Sequence, residues 1–136
     1  MATQIFVNLP VQSLSRSVEF FKQLGYTFNA QFTDQNATCM VISENIYAML
    51  LVKDYFKTFV TREVADTTKT VGAIIALSAE SRAAVDTLVD KALKAGATKT
   101  KDPQDYGFMY GRSFQDLDGH HWEIMWMDPK HVQQQQ

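Results

Sequence analysis

The chain is 136 residues long, enough for one ordinary domain and too short for two. Its 13 Lys and Arg stand against 15 Asp and Glu, a net charge of −2, which excludes the basic footprint of a nucleic-acid binder. Hydrophobic residues at 46% supply a core and exclude bulk disorder, and no apolar run reaches the ~20 residues that span a bilayer. A single cysteine, Cys39, makes neither an internal disulfide nor a structural zinc site. The first residues show no basic n-region or apolar h-region, so a cytoplasmic protein with no nucleic-acid or membrane partner is expected.

Residues 3–9 are rich in β-formers and end at Pro10, which reads as a strand and its exit. Leu14, Val18, Phe21 and Leu24 then recur at helical spacing, with Gly25 where a helix stops. Strands are predicted over 26–32, 38–42 and 46–52, the last two joined by a turn at Ser43-Glu44-Asn45. Residues 53–70, charged and Thr-rich, read as a connection with a helical turn at 55–60. The order then repeats. A strand at 71–78 leads to a helix at 81–95 that stops at Gly96, followed by strands at 98–101, 108–114 and 120–127. The run Gln133–Gln136 closes a tail, 130–136, outside the expected domain of residues 1–129.

Two βαβββ modules, about 1–60 and 70–129, make an α+β chain. Two such sheets brought edge to edge form a curled eight-stranded mixed sheet around a shared cavity, with the helices outside. A plain sandwich without a cavity has the same periodicity.

Strand alternation divides the residues of each strand into two lists. Trp122, Ile124 and Trp126 belong under a helix, which leaves His121, Glu123, Met125 and Met127 on the concave side. By the same parity Phe6, Asn8, Tyr47, Met49, Leu51, Ile74 and Ala76 point inward, whereas Arg112 and Tyr110 lie on the helix side. Met40, Met49, Met109, Met125 and Met127 all fall on the inward list, and methionine fills irregular apolar pockets and adapts to flat rings. Asn8, Tyr47, Ser113 and Glu123 are the polar groups expected among them, and Tyr106 in the 101–107 loop is placed to close over the mouth. Cys39 reads as a buried thiol without a catalytic partner, and His120 and His121 as partly exposed residues at a strand start.

The run Asp116-Leu117-Asp118-Gly119-His120-His121-Trp122-Glu123 resembles the Asp-Pro-Asp-Gly-His-x-x-Glu signature of the vicinal oxygen chelate superfamily. That superfamily includes glyoxalases, bleomycin resistance proteins, fosfomycin-resistance transferases and extradiol dioxygenases. The opening from Asn8-Leu9-Pro10-Val11 to Leu24-Gly25-Tyr26 is similar to its first strand and helix. The resemblance implies lyase, transferase or dioxygenase chemistry at a divalent metal, and a homodimer. Matched position by position, however, the ligand sites are Phe6, Met49, Ile74 and Glu123, and only Glu123 offers a donor for a hard or borderline ion. No metal or other cofactor is therefore predicted. The expected function is binding of an apolar or aromatic small molecule by Phe6, Asn8, Met40, Tyr47, Met49, Ile74, Tyr106, Met109, Ser113, Glu123 and Met125. The alternative is an enzyme of the same superfamily, metal-dependent or using Glu123 as its catalytic proton-transfer group.

Overall fold

A computed structural model describes residues 2–131, so Val132 and the terminal glutamines lie outside the described residues. Strand β1 (Ile5–Val11) is followed by helix α1 (Leu14–Gln23), then β2 (Thr27–Asn29), β3 (Ala37–Ser43) and β4 (Ile46–Val52). A short helix, α2 (Lys53–Phe56), runs into a 3-10 turn at Lys57–Phe59. The second series is β5 (Ile74–Ser78), α3 (Arg82–Lys94), β6 (Thr98–Lys99), β7 (Gln104–Asp105), β8 (Met109–Gln115) and β9 (His121–Met127). The α+β class and the two βαβββ series are as expected. The strands divide into a sheet ordered β1-β4-β3-β2 and a five-stranded one ordered β5-β9-β8-β6, with β7 added on β8. The described residues form two compact units that divide between Asp66 and Thr67. Among the described residues no helix is long and apolar enough to cross a membrane.

Both long helices start on a serine whose hydroxyl takes up a free N–H: Ser13 accepts from Arg16 and Ser81 from Ala84. In the first unit α1 packs on β4. Leu9 and Leu50, Ala48 and Met40, and Thr38 are paired across strands on this side, and all are buried. Phe20, Phe21 and Leu24 of the helix segment complete the core. In the second unit α3 packs on β8 and β9. Val85, Val89 and Ala92 are buried with Phe114, Trp122 and Ile124.

Several expectations are corrected. Pro10 lies inside β1 rather than at its exit, because β1 is an edge strand and a residue without an N–H costs no ladder bond there. The 26–32 strand is cut to Thr27–Asn29, where the Asn29 carboxamide oxygen accepts the Gln31 N–H and starts a 3-10 turn. Residues 71–73 precede β5 instead of belonging to it.

The tightest polar construction is the turn between β8 and β9. Asp116 is buried, and its Oδ1 accepts the N–H groups of Asp118 (2.9 Å) and His120 (3.0 Å). Its Oδ2 accepts the indole N–H of Trp122 at 2.9 Å. Gly119 has φ +88, and an added Cβ there would collide with the Thr67 carbonyl, so only glycine fits. Thr67 also donates its hydroxyl to the Asp118 carbonyl at 2.6 Å, which ties the start of the second unit to this turn. Burial pushes the Asp116 carboxyl up, and the facing His120 and the three donors pull against that rise.

Asp116→Ala leaves three N–H groups to find new partners, at about 1–3 kcal/mol for each that stays buried. Chemical denaturation is expected to show a loss of about 3 kcal/mol or more. By linkage, a raised carboxyl pKa contributes stability that is full at low pH and lost as pH rises through the shifted value. Asp116→Asn is expected to remove that component from the stability–pH curve.

Candidate functional site

The register of β9 determines what the second unit shows on the side away from α3. Trp122 and Ile124 pair with Phe114 and Arg112 on the helix side, so His121, Glu123, Met125 and Met127 take the other. Glu123 stands between Ala76 of β5 and Ser113 of β8. Ile74 pairs with His121, and Met109 with Met127, on the same face. Ile74 is 61% exposed, whereas Ser113 is buried, its hydroxyl bonded to that of Thr100. Among the described residues the Glu123 carboxylate has no hydrogen-bond or ion-pair partner. A half-buried carboxyl group without a partner, on a face shared with Ala76, Met125, Ser113 and His121, is the chemically distinctive feature of this face.

In the first unit the corresponding face carries Phe6 paired with Tyr47, Asn8 with Met49, and Cys39 with Met49. The Phe6 and Tyr47 rings stack at 4.9 Å and 11°, and Phe6 remains 47% exposed, which makes a flat aromatic shelf. The polar groups predicted here are already engaged. Tyr47 donates its hydroxyl to the Glu44 carbonyl at 2.8 Å, and the Asn8 amide donates to the Phe6 carbonyl at 3.1 Å. Cys39 is fully buried and burial pushes its thiol pKa up, as expected of an unreactive thiol.

Met40 is misplaced in the sequence reading. It pairs with Ala48 and Phe28, lies on the helix side and is wholly buried, because a bulge between Val41 and Ser43 shifts β3 by one residue. His120 is buried in the Asp116 turn, not partly exposed, and His131 stacks on Phe108 at 4.0 Å. Tyr106 is 58% exposed and lies against Phe108 with ring centroids 6.4 Å apart.

Its loop is held by a residue that sequence reasoning missed. Arg82 makes two 2.8 Å bonds to the Asp105 carboxylate and one of 2.9 Å to the Gly107 carbonyl. Its guanidinium also lies over the Tyr110 and Trp126 rings, 5.1 and 5.2 Å from their centroids. No spacing signals this, since Arg82 and Asp105 meet only through the β7–β8 pairing. Arg112 is on the helix side as predicted, bonded to Asp86 and Asp90 at 2.9 Å.

The donor set does not fit a catalytic divalent ion. Phe6 and Ile74 lack donors, a Met49 thioether suits soft metals, and the described residues contain no group of three His, Cys, Asp or Glu able to hold one.

Comparison with known proteins now bears on this geometry. Residues 3–43 match the family model described as bleomycin resistance protein-like N-terminal. The chain superposes on a glyoxalase/bleomycin resistance protein/dioxygenase family enzyme from Burkholderia phytofirmans PsJN with a TM-score of 0.76. Identity is 16%, over 93% of this chain and 99% of that one. The chain shares the fold of that glyoxalase/bleomycin resistance protein/dioxygenase family enzyme. The vicinal oxygen chelate resemblance in the 116–123 run is thereby matched by the architecture. Hypothetical protein SA1046 from S. aureus is also similar, with a TM-score of 0.77 and 29% identity over 92% of this chain and 94% of that one. The fosfomycin resistance protein FosX from Mesorhizobium loti gives 0.66 and 13%, over 92% of both chains. No curated protein matches the sequence.

The Arg82 clamp has a defined acid limit. Its bonds, with the Gly107 N–H, lower the Asp105 pKa from 3.8 to about 2. A lowered carboxyl pKa contributes stability that is present above the unfolded value and lost as pH falls through the folded one. Arg82→Met is therefore expected to melt below the wild type above pH 4, with the gap closing as pH approaches 2. A gap independent of pH would place the role of Arg82 in ring packing alone.

Proposed function

We propose that this chain binds an apolar or aromatic small molecule on the face of the second sheet turned away from α3, without a resident metal. The observation that carries the reading is Glu123, an unpartnered carboxylate flanked by Ala76, Ile74 and Met125. A carboxyl group beside apolar side chains orients a ligand that offers one N–H, O–H or ammonium and a flat hydrophobic body. Met109 and Met125 on the same face adapt to such a body. The superfamily fold supports small-molecule recognition by analogy. A cytoplasmic homodimer completes the reading, supported by the exposed Ile5, Phe6 and Ile74 on edge strands β1 and β5.

The second reading is proton transfer by Glu123, which the same observation favours because an unbonded carboxylate is available to exchange a proton. Thermal melts in the presence of neutral planar aromatics, their amine analogues and divalent metals separate these alternatives. A ligand at 100 times its dissociation constant adds about 2.7 kcal/mol, a rise of several degrees. Binding predicts that rise with aromatics and none with Zn²⁺, Ni²⁺ or Mn²⁺. A chelator-reversible rise with metal overturns the metal-free reading. Glu123→Gln is expected to keep neutral aromatics and weaken amines about tenfold. A fall in turnover of roughly 10²–10⁴ in that variant, with binding retained, would establish proton transfer instead.

A further inference from the structure

A groove of about 660 Å³ opens on the other side of the first sheet, where α1 ends and β2 begins. Val18 and Lys22 line it from α1, Tyr26, Thr27 and Phe28 from the β2 segment, with Gly25, Ala30, Thr33 and Thr38 also on its wall. Its size lies within the usual range for small-molecule sites. The buried hydroxyl at its base is already satisfied: Thr33 donates to the Asn29 carbonyl at 2.8 Å, so Thr38 must donate to Thr33 at 2.9 Å. Those groups have no proton left for a ligand, and the remaining interior offers apolar contact from Val18, Phe28 and Ala30.

Donor capacity remains in Lys22 and Tyr26, beside the turn at the end of the helix, and in the lining Thr27 hydroxyl. Among the described residues neither the Lys22 ammonium nor the Tyr26 hydroxyl has a hydrogen-bond or ion-pair partner. The nearby Glu19 carboxylate is bonded by Gln23 instead, at 3.5 Å. Lys22 is the only charged residue lining the groove. We propose that this groove is a second binding site, for a small monocarboxylate with a flat apolar body. Lys22 and Tyr26 take the carboxylate, and Val18, Phe28 and Ala30 take the body. One cation and one neutral donor match a single negative charge, whereas a phosphate dianion would retain uncompensated charge. The site is separate from the Glu123 face, where a carboxylate ligand would be repelled.

The test is an amide NMR titration of the full chain with phenylacetate, phenylacetamide and phenyl phosphate. Phenylacetate is expected to shift Val18, Lys22, Tyr26, Phe28 and Ala30 in a saturable way and to leave Glu123 and Met125 unchanged. Phenylacetamide and phenyl phosphate are expected to bind at least about tenfold more weakly. Lys22→Met, a surface change, is expected to weaken phenylacetate about tenfold, and Tyr26→Phe to weaken it less. Absence of saturable shifts at the groove, equal binding of the amide, preference for phenyl phosphate, or an unchanged Lys22→Met would each overturn the proposal. Shifts confined to the Glu123 face would overturn it too, while leaving the first site standing.

Discussion

The buried Asp116 carboxylate is the constraint from which the second unit takes its form. It collects the backbone of Asp118 and His120 and the indole of Trp122 around one residue. By holding Trp122 on the helix side it sets the parity of β9, and parity then places Glu123 on the opposite face. A slip of one residue would bury Glu123 under α3 and expose Trp122. The family-like run from Asp116 to Glu123 therefore acts mainly as a folding device here. Its aspartates and glycine make the turn, and its glutamate is delivered by that turn.

The two sides of each sheet divide the work. The helix side is close-packed, with Ala48, Leu50, Val85 and Trp122 excluded from water. The other side carries Phe6, Tyr47 and Met49 in the first sheet, and Ile74, His121, Glu123 and Met125 in the second. At Phe6, Met49 and Ile74 the faces offer apolar side chains, and Glu123 is the one of these four positions with a hard donor.

Most of the fold was legible because alternation and helical spacing are strong signals over seven- to thirteen-residue elements. The parities of β1, β4, β5 and β9 could be read directly from their apolar lists. Met40 could not. Counted straight from the Ser43–Ile46 pair it would sit beside Met49, and the bulge after Val41 turns it to the helix side. Pro10 was misread because its meaning depends on whether β1 is an edge strand, which is a property of the sheet. Parity placed Glu123, Ser113, Met109, Met125 and Ile74 on one face, and the strand register agrees with that placement. The Arg82 clamp, the His131–Phe108 stack and the α1–β2 groove were not legible, because each joins residues through tertiary packing.

Recognition of an apolar ligand at the Glu123 face, in place of a metal, is the reading we propose. Methyl NMR of methionine-labelled protein with substoichiometric Mn²⁺ tests it directly, since a bound paramagnetic ion broadens nearby methyl signals. Selective broadening of Met109 and Met125 that a chelator reverses would contradict the account. The account predicts that both signals keep their linewidths with Mn²⁺ and shift when a planar aromatic ligand is added.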